Sequence, residues 1–114
     1  MNQPMRMSAR ELHERLQRGE PIQVVDVRED AELALARLPL PVLHLPLSRS
    51  TTWLEGLEQQ LDRDRPIVVM CHAGIRSWQM GCWLIQERGY GAVWNLERGI
   101  DAWSVEVDAS IPRY

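Results

Sequence analysis

Two rhythms of apolar residues alternate along the chain. Short, nearly continuous runs occur at 22–27, 42–45, 67–70 and 92–96. Runs of this length, rich in valine, leucine and isoleucine, predict strands covered on both faces, as in parallel sheets. Between them, apolar positions recur every three or four residues, the helical period. Ser8 with Glu11 reads as a capping box; Ala9, Leu12 and Leu16 then share a face, and Gly19 stops the helix. His13 lies off that stripe and reads as solvated. A second helix is expected over 30–38, capped by Asp30 and broken by Pro39 and Pro41. Thr52 with Glu55 reads as another capping box, opening a helix whose stripe is Trp53, Leu54, Leu57 and Leu61. A polar turn at 62–65 follows.

The next helix spans 77–88 and ends at Gly89, with Met80, Gly81, Leu84 and Ile85 on its sheet-facing side. A short closing helix is expected at 99–103. Residues 1–7 read as an extended arm holding at most a short edge strand, and 104–114 as an extended tail. Strands alternating with helices predict one α/β domain over 1–114, with a mostly parallel sheet and a core at about 8–103.

Composition narrows the chemistry. A net charge of -3 offers nothing to nucleic acid or to an anionic membrane surface. All 13 basic residues are arginine, which removes Schiff-base chemistry and a phosphate-loop lysine; the bias itself reads as genomic composition. Residues 1–10 lack the apolar core of a signal peptide, and no apolar run reaches membrane-spanning length. Cys71 and Cys82 make no disulfide framework, so a reducing, cytoplasmic compartment is expected. His13, His44 and His72 are scattered and no Cys-x-x-Cys or His-x-x-x-His pair occurs, so neither metal nor cofactor is implied. Cys82, on the flank of its helix, reads as an inert half-buried thiol, and His44 as a structural histidine in a short strand.

The stretch Ile67-Val68-Val69-Met70-Cys71-His72-Ala73-Gly74-Ile75-Arg76-Ser77 carries the candidate chemistry. A β-branched run ends at a cysteine, a glycine-containing loop follows, and a helix begins. The helix adds its positive N-terminal end where the loop N–H groups turn inward. A thiol placed there ionises more readily than a free one, and the thiolate is the nucleophile. Asp26 and Arg28 close the 22–27 strand, the end where open α/β sheets place their sites. They read as an ion pair bracing the loops in preference to catalytic groups.

These residues resemble the rhodanese-like sulfurtransferase family, single-domain type, over roughly 8–103. The marks are Val25-Asp26-Val27-Arg28, Ile67-Val68-Val69-Met70-Cys71, Cys71-x-x-Gly74-x-Arg76-Ser77, Gly89-Tyr90 and Asn95-Leu96-Glu97-Arg98-Gly99-Ile100-Asp101-Ala102-Trp103. The resemblance implies a central five-stranded sheet flanked by helices, with Cys71 at the bottom of a shallow pocket. It implies that Cys71 takes sulfane sulfur from a thiosulfate or persulfide donor, small or protein-borne, and passes it to a thiol acceptor, or to cyanide in an assay. The N–H groups of His72, Ala73, Gly74, Ile75, Arg76 and Ser77 would then surround the sulfur, with Arg76 adding a fixed positive charge. His72 either tunes the thiolate or faces solvent.

Two departures stand out. Arg37-Leu38-Pro39-Leu40-Pro41 replaces the family's Gly-His-Ile-Pro-Gly-Ala type segment, and the paired glycines before Ile100 are reduced to Arg98-Gly99. Two rival readings come with the same resemblance. Rhodanese-like phosphatases and arsenate reductases have five residues between cysteine and arginine, where this chain has four, His72 to Ile75. A non-catalytic module would bind a partner through Trp78 and Trp83, unless the tail covers both.

Overall fold

The computed structural model describes residues 2–114; Met1 of the expected arm lies outside the described residues. Five strands form one sheet: β1 (Met5–Met7), β2 (Gln23–Asp26), β3 (Leu43–His44), β4 (Ile67–Met70) and β5 (Val93–Leu96). Their order is β1-β5-β4-β2-β3, and every pairing is parallel. The helices are α1 (Ala9–Gln17), α2 (Asp30–Leu35), α3 (Leu57–Gln60), α4 (Ile75–Arg88) and α5 (Gly99–Glu106), with a 3-10 turn at Leu47–Thr52.

Side-chain alternation along β4 divides the core in two. Val68 and Met70 face the cluster built with α1 and α5, which includes Leu12, Ile100 and Trp103. Ile67 and Val69 face the cluster built with α3 and α4, and the period of two carries Cys71 onto that same face. The register pairs Val69 with Asn95 on β5, so Asn95 also belongs to the α4 side, next to where β4 releases the cysteine. All four β4 residues are buried, as expected for a central strand of a parallel sheet.

Several boundaries differ from the pattern-based expectation. The α2 cap is Glu29, not Asp30: Glu29 and Glu32 complete a reciprocal capping box, and the helix ends at Leu35. The box expected at Thr52 does not form. The Thr52 hydroxyl donates instead to the Arg49 carbonyl at 2.7 Å, which keeps the segment in 3-10 turns and confines α3 to four residues. Helix α4 begins two residues early, at Ile75, so Arg76 sits in its first turn and not in the loop. Helix α5 runs on to Glu106, past the expected end at Trp103. His13 is half-buried, edge-on to Trp103 at 5.7 Å.

The remaining chain folds back along the α1–α5 face, seating Ile111 in that core and bringing Tyr114 to the far side of the cysteine loop. The tail therefore leaves Trp78 and Trp83 uncovered, because they lie on the other side of the sheet. Trp78 sits under the Arg6 guanidinium and Trp83 against Trp53. Among the described residues no helix is long and apolar enough to cross a membrane.

Candidate active site

Cys71 is the first residue beyond β4, and its backbone is fixed from the α5 side. The Ile100 N–H donates to the Cys71 carbonyl at 3.0 Å and the Asp101 N–H to the His72 carbonyl at 3.3 Å. These bonds commit the loop carbonyls to the start of α5, which leaves the following N–H groups free to turn toward the sulfur. The approach is close: a Cβ on Gly99 would stand 2.2 Å from the Cys71 carbonyl oxygen and 2.5 Å from that of His72. Gly74 closes the loop at φ +99°, where its own Cβ would stand 3.1 Å from the Arg98 nitrogen.

The thiol is 1% exposed and ringed by donors. Gly74 N–H reaches Sγ at 3.1 Å and Ser77 N–H at 3.4 Å, while the Ser77 hydroxyl lies 3.3 Å away. Burial pushes the Cys71 thiol up. The Ser77 hydroxyl and the N–H groups of Ser77, Gly74 and Ala73 pull it down, and the balance leaves it below an ordinary thiol. Behind Ser77 stands Asn95, whose Oδ1 accepts the serine hydroxyl at 2.5 Å while its Nδ2 donates to the Gly74 carbonyl at 3.1 Å.

The Arg76 guanidinium is directed to α2. It makes a two-pronged pair with Glu32 of α2, at 2.6 and 2.8 Å, so its charge is already matched. Arg76 holds the Glu32 carboxyl down to about 2, helped by the Tyr114 hydroxyl and the Glu29 N–H against the cost of burial. Burial, with Glu32 beside it, pushes the Tyr114 phenol up to about 12 even though Arg28 opposes this, so the phenol stays protonated and donates to Glu32 at 2.7 Å. The Tyr114 oxygen in turn accepts from Arg28 at 3.1 Å. Its ring stacks on His72 with 4.0 Å between centroids.

Arg28 is fully buried, paired with Asp26 at 2.8 Å and bonded to the Ala36 carbonyl at 2.8 Å. Asp26 and Arg28 thus brace the neighbouring loop and connect to the cysteine loop through Tyr114 and Glu32. His44 also serves structure, donating from Nε2 to the Arg28 carbonyl at 2.6 Å.

A groove of about 370 Å³ runs beside the loop, walled by Arg6, Gly74, Ile75, Trp78, Asn95 and Arg98. The Ala73 and Ile75 side chains face outward, with Ile75 70% exposed. Cys71 is not among the groove walls, and neither is any residue of the atypical segment 37–41. Leu38 of that segment packs in the core. Cys71 and Cys82 are both free. Among the described residues no group of three histidine, cysteine or carboxylate side chains is placed to hold a metal.

Sequence reasoning missed Asn95, Glu32 and Tyr114 as parts of the site. Asn95 carried a signal: it is a polar residue in an apolar run, on the buried face by the period of two. Glu32 and Tyr114 carried none, because only the fold brings them to the loop.

The rhodanese-like domain family model matches residues 8–106. Rhodanese-like/PpiC domain-containing protein 12 of Arabidopsis thaliana is 38% identical over 109 residues, covering 91% of this chain but only 35% of that protein. A protein named sulfurtransferase from Allochromatium vinosum is 36% identical over 97 residues, covering 82% of this chain and 81% of that one. In structure, the rhodanese-related protein of Thermoplasma volcanium matches with a TM-score of 0.70 at 26% identity, over 90% of this chain and 93% of its own. With the five-stranded parallel sheet and the cysteine loop at the end of β4, the match over 8–106 places this chain in the rhodanese-like domain family.

Proposed function

We propose that the protein is a sulfurtransferase that carries sulfane sulfur as a persulfide on Cys71. The observation that carries this reading is the enclosure of Sγ by the Gly74 and Ser77 N–H groups at 3.1 and 3.4 Å. Such a cradle favours an anionic sulfur and leaves no general base in contact with it. The thiolate attacks the outer sulfur of the donor, the donor's bond to that sulfur breaks, and the leaving group takes the electron pair. An acceptor thiolate then attacks the outer sulfur of the Cys71 persulfide, and Cys71 departs as thiolate. The two displacements predict ping-pong kinetics.

The four residues between Cys71 and Arg76 make a loop sized for one sulfur atom, which disfavours the phosphatase and arsenate reductase reading. The donor is a persulfide, small or protein-borne, in preference to thiosulfate. A dianion needs an unmatched cation at the loop, and Arg76 is held by Glu32. A protein donor or acceptor would land on the side that Trp78 and Trp83 leave open. Two free cysteines suit a reducing, cytoplasmic setting.

Intact mass after incubation with glutathione persulfide or thiosulfate tests the reading. The expected result is a gain of one sulfur atom that a thiol reverses and that Cys71→Ser abolishes. No gain with any donor, alongside phosphate-ester hydrolysis or arsenate reduction, would replace it. Complete inertness would favour the partner-binding module.

A further inference from the structure

The Ser77 hydroxyl has one proton and two buried claimants. Asn95 donates through Nδ2 to the Gly74 carbonyl, which fixes the amide so that Oδ1 faces Ser77 at 2.5 Å. An amide oxygen only accepts, so the serine proton points at Asn95 and away from Cys71. In that arrangement the thiol S–H donates to the serine oxygen, 3.3 Å away. A thiolate at the same place needs the opposite orientation, because the serine oxygen's lone pairs facing an anion would repel it.

We infer that Asn95 is a positioning residue acting through Ser77: it holds the serine proton while Sγ is a thiol or carries the outer sulfur, and yields it to Sγ when the thiolate forms. No covalent bond to hydrogen breaks on the serine; its hydroxyl rotates, and the proton lost by Cys71 leaves to water. The catalytic meaning of this toggle rests on the sulfur-transfer reading above. During transfer, negative charge moves from Sγ to the outer sulfur and back. A serine that follows the charge stabilises Sγ only in the states where it is anionic.

Other charged and titratable groups around the cysteine are already committed. Arg76 of α4 is paired with Glu32 of α2, Arg28 with Asp26 at the end of β2, and Asp101 of α5 with Arg113. His72 of the loop is stacked on Tyr114 of the tail, and Arg98 after β5 is paired with Glu106. The neutral Asn95–Ser77 pair is the element in direct contact with Sγ that has two hydrogen-bonding states.

The test is the pH dependence of Cys71 alkylation by iodoacetamide in wild type, Asn95→Ala, Ser77→Ala and the double variant, all in the Cys82→Ser background. Asn95→Ala releases the serine proton to Sγ permanently, so its alkylation midpoint should move down by about one pH unit. In the Ser77→Ala background the same substitution should leave the midpoint where Ser77→Ala put it. Asn95→Val, closer to asparagine in volume, suited to a strand and without an acceptor, repeats the experiment should the alanine variant fold poorly, and should shift the midpoint in the same direction.

A purely structural role through the Gly74 carbonyl would loosen the N–H cradle and move the midpoint up, overturning the inference. So would an equal downward shift with Ser77 absent. Alkylation uses no sulfur donor, so this result is decided separately from whether the Cys71 persulfide forms.

Discussion

The two halves of the cysteine loop are held by different means. The first half, from Cys71 into the turn at Gly74, is fixed by backbone at its start: α5 N–H groups take the Cys71 and His72 carbonyls, and Gly99 and Gly74 allow the approach. The second half, Ile75 to Ser77, is fixed by side chains, with Arg76 on Glu32 and Ser77 on Asn95. A backbone clamp tolerates almost no change of shape but is indifferent to charge. A side-chain clamp tolerates change of shape and responds to pH and to partner identity. The first half therefore sets where the sulfur is, and the second sets what charge surrounds it.

The sharpest break of the backbone half is Gly99→Ala. The added methyl would need space now occupied by two carbonyl groups, at a residue with φ +57°. Left-handed backbone strain and overpacking together predict a loss on the order of 3 kcal/mol. A melt should show a fall of roughly 10 °C. If the variant melts as wild type does, α5 is not clamping the loop.

On the side-chain half, Glu32→Gln should cost less and should change the pH response. Glu32 has a lowered pKa of about 2 in the folded chain against an ordinary value of 4.5. A depressed carboxylate contributes stability that is fully present above about 4.5 and is lost as pH falls toward about 2. The shift corresponds to no more than about 3 kcal/mol. Solvent screening reduces this, because the Arg76 side chain is 36% exposed. Acid melts of Glu32→Gln should therefore show a shallower loss of stability across that window. The same variant unmatches Arg76, so thiosulfate turnover should rise relative to persulfide turnover; an unchanged ratio would mean that the loop charge does not select the donor.

The contrast also explains what could be read in advance. The strand–cysteine–loop–helix order and the placement of Gly74 follow from local rules, so the backbone half was legible. Strand runs such as 22–27 and 67–70 were equally plain, because burial on both faces leaves few polar positions. The side-chain half was not. Glu32 lies 44 residues from Arg76 in sequence, and Tyr114 lies 86 from Arg28. Nothing local marks either partner. Arg76 was expected to offer its charge to the donor, and only the position of α2 shows that a carboxylate has already taken it. The two capping-box patterns make the same point. Ser8 forms its cap because Ala9 and Leu12 bury a helix face behind it. Thr52 bonds backward instead, in a segment with no buried face of that length.

A smaller effect should come from Tyr114→Phe. The ring can still stack on His72, but the bonds to Arg28 and Glu32 are lost. Because Arg28 keeps Asp26 and Glu32 keeps Arg76, neither charge is left alone, and about 1 kcal/mol is expected. Chemical denaturation should show that loss with no change in Cys71 alkylation. A change in alkylation would mean that the tail positions the loop as well as covering it.

Arg98→Gly should have the smallest effect, and with the opposite sign. Arg98 sits at φ +57°, immediately before Gly99 at the same angle, where the family carries paired glycines. A side chain in that region costs about 1–2 kcal/mol relative to glycine. Two terms oppose the relief. Glycine has more freedom to lose on folding, about 0.5–1 kcal/mol. The Arg98–Glu106 pair, with Arg98 70% exposed, is worth less than about 1 kcal/mol. The sum leaves a gain of a few tenths of a kcal/mol, visible as a slightly higher midpoint in urea. Because Arg98 also walls the groove beside the loop, the glycine variant separates stability from recognition. A gain in stability joined to weaker use of an anionic donor would show that the chain keeps this strained arginine for its charge. A gain with unchanged donor use would leave the strain without a functional counterpart.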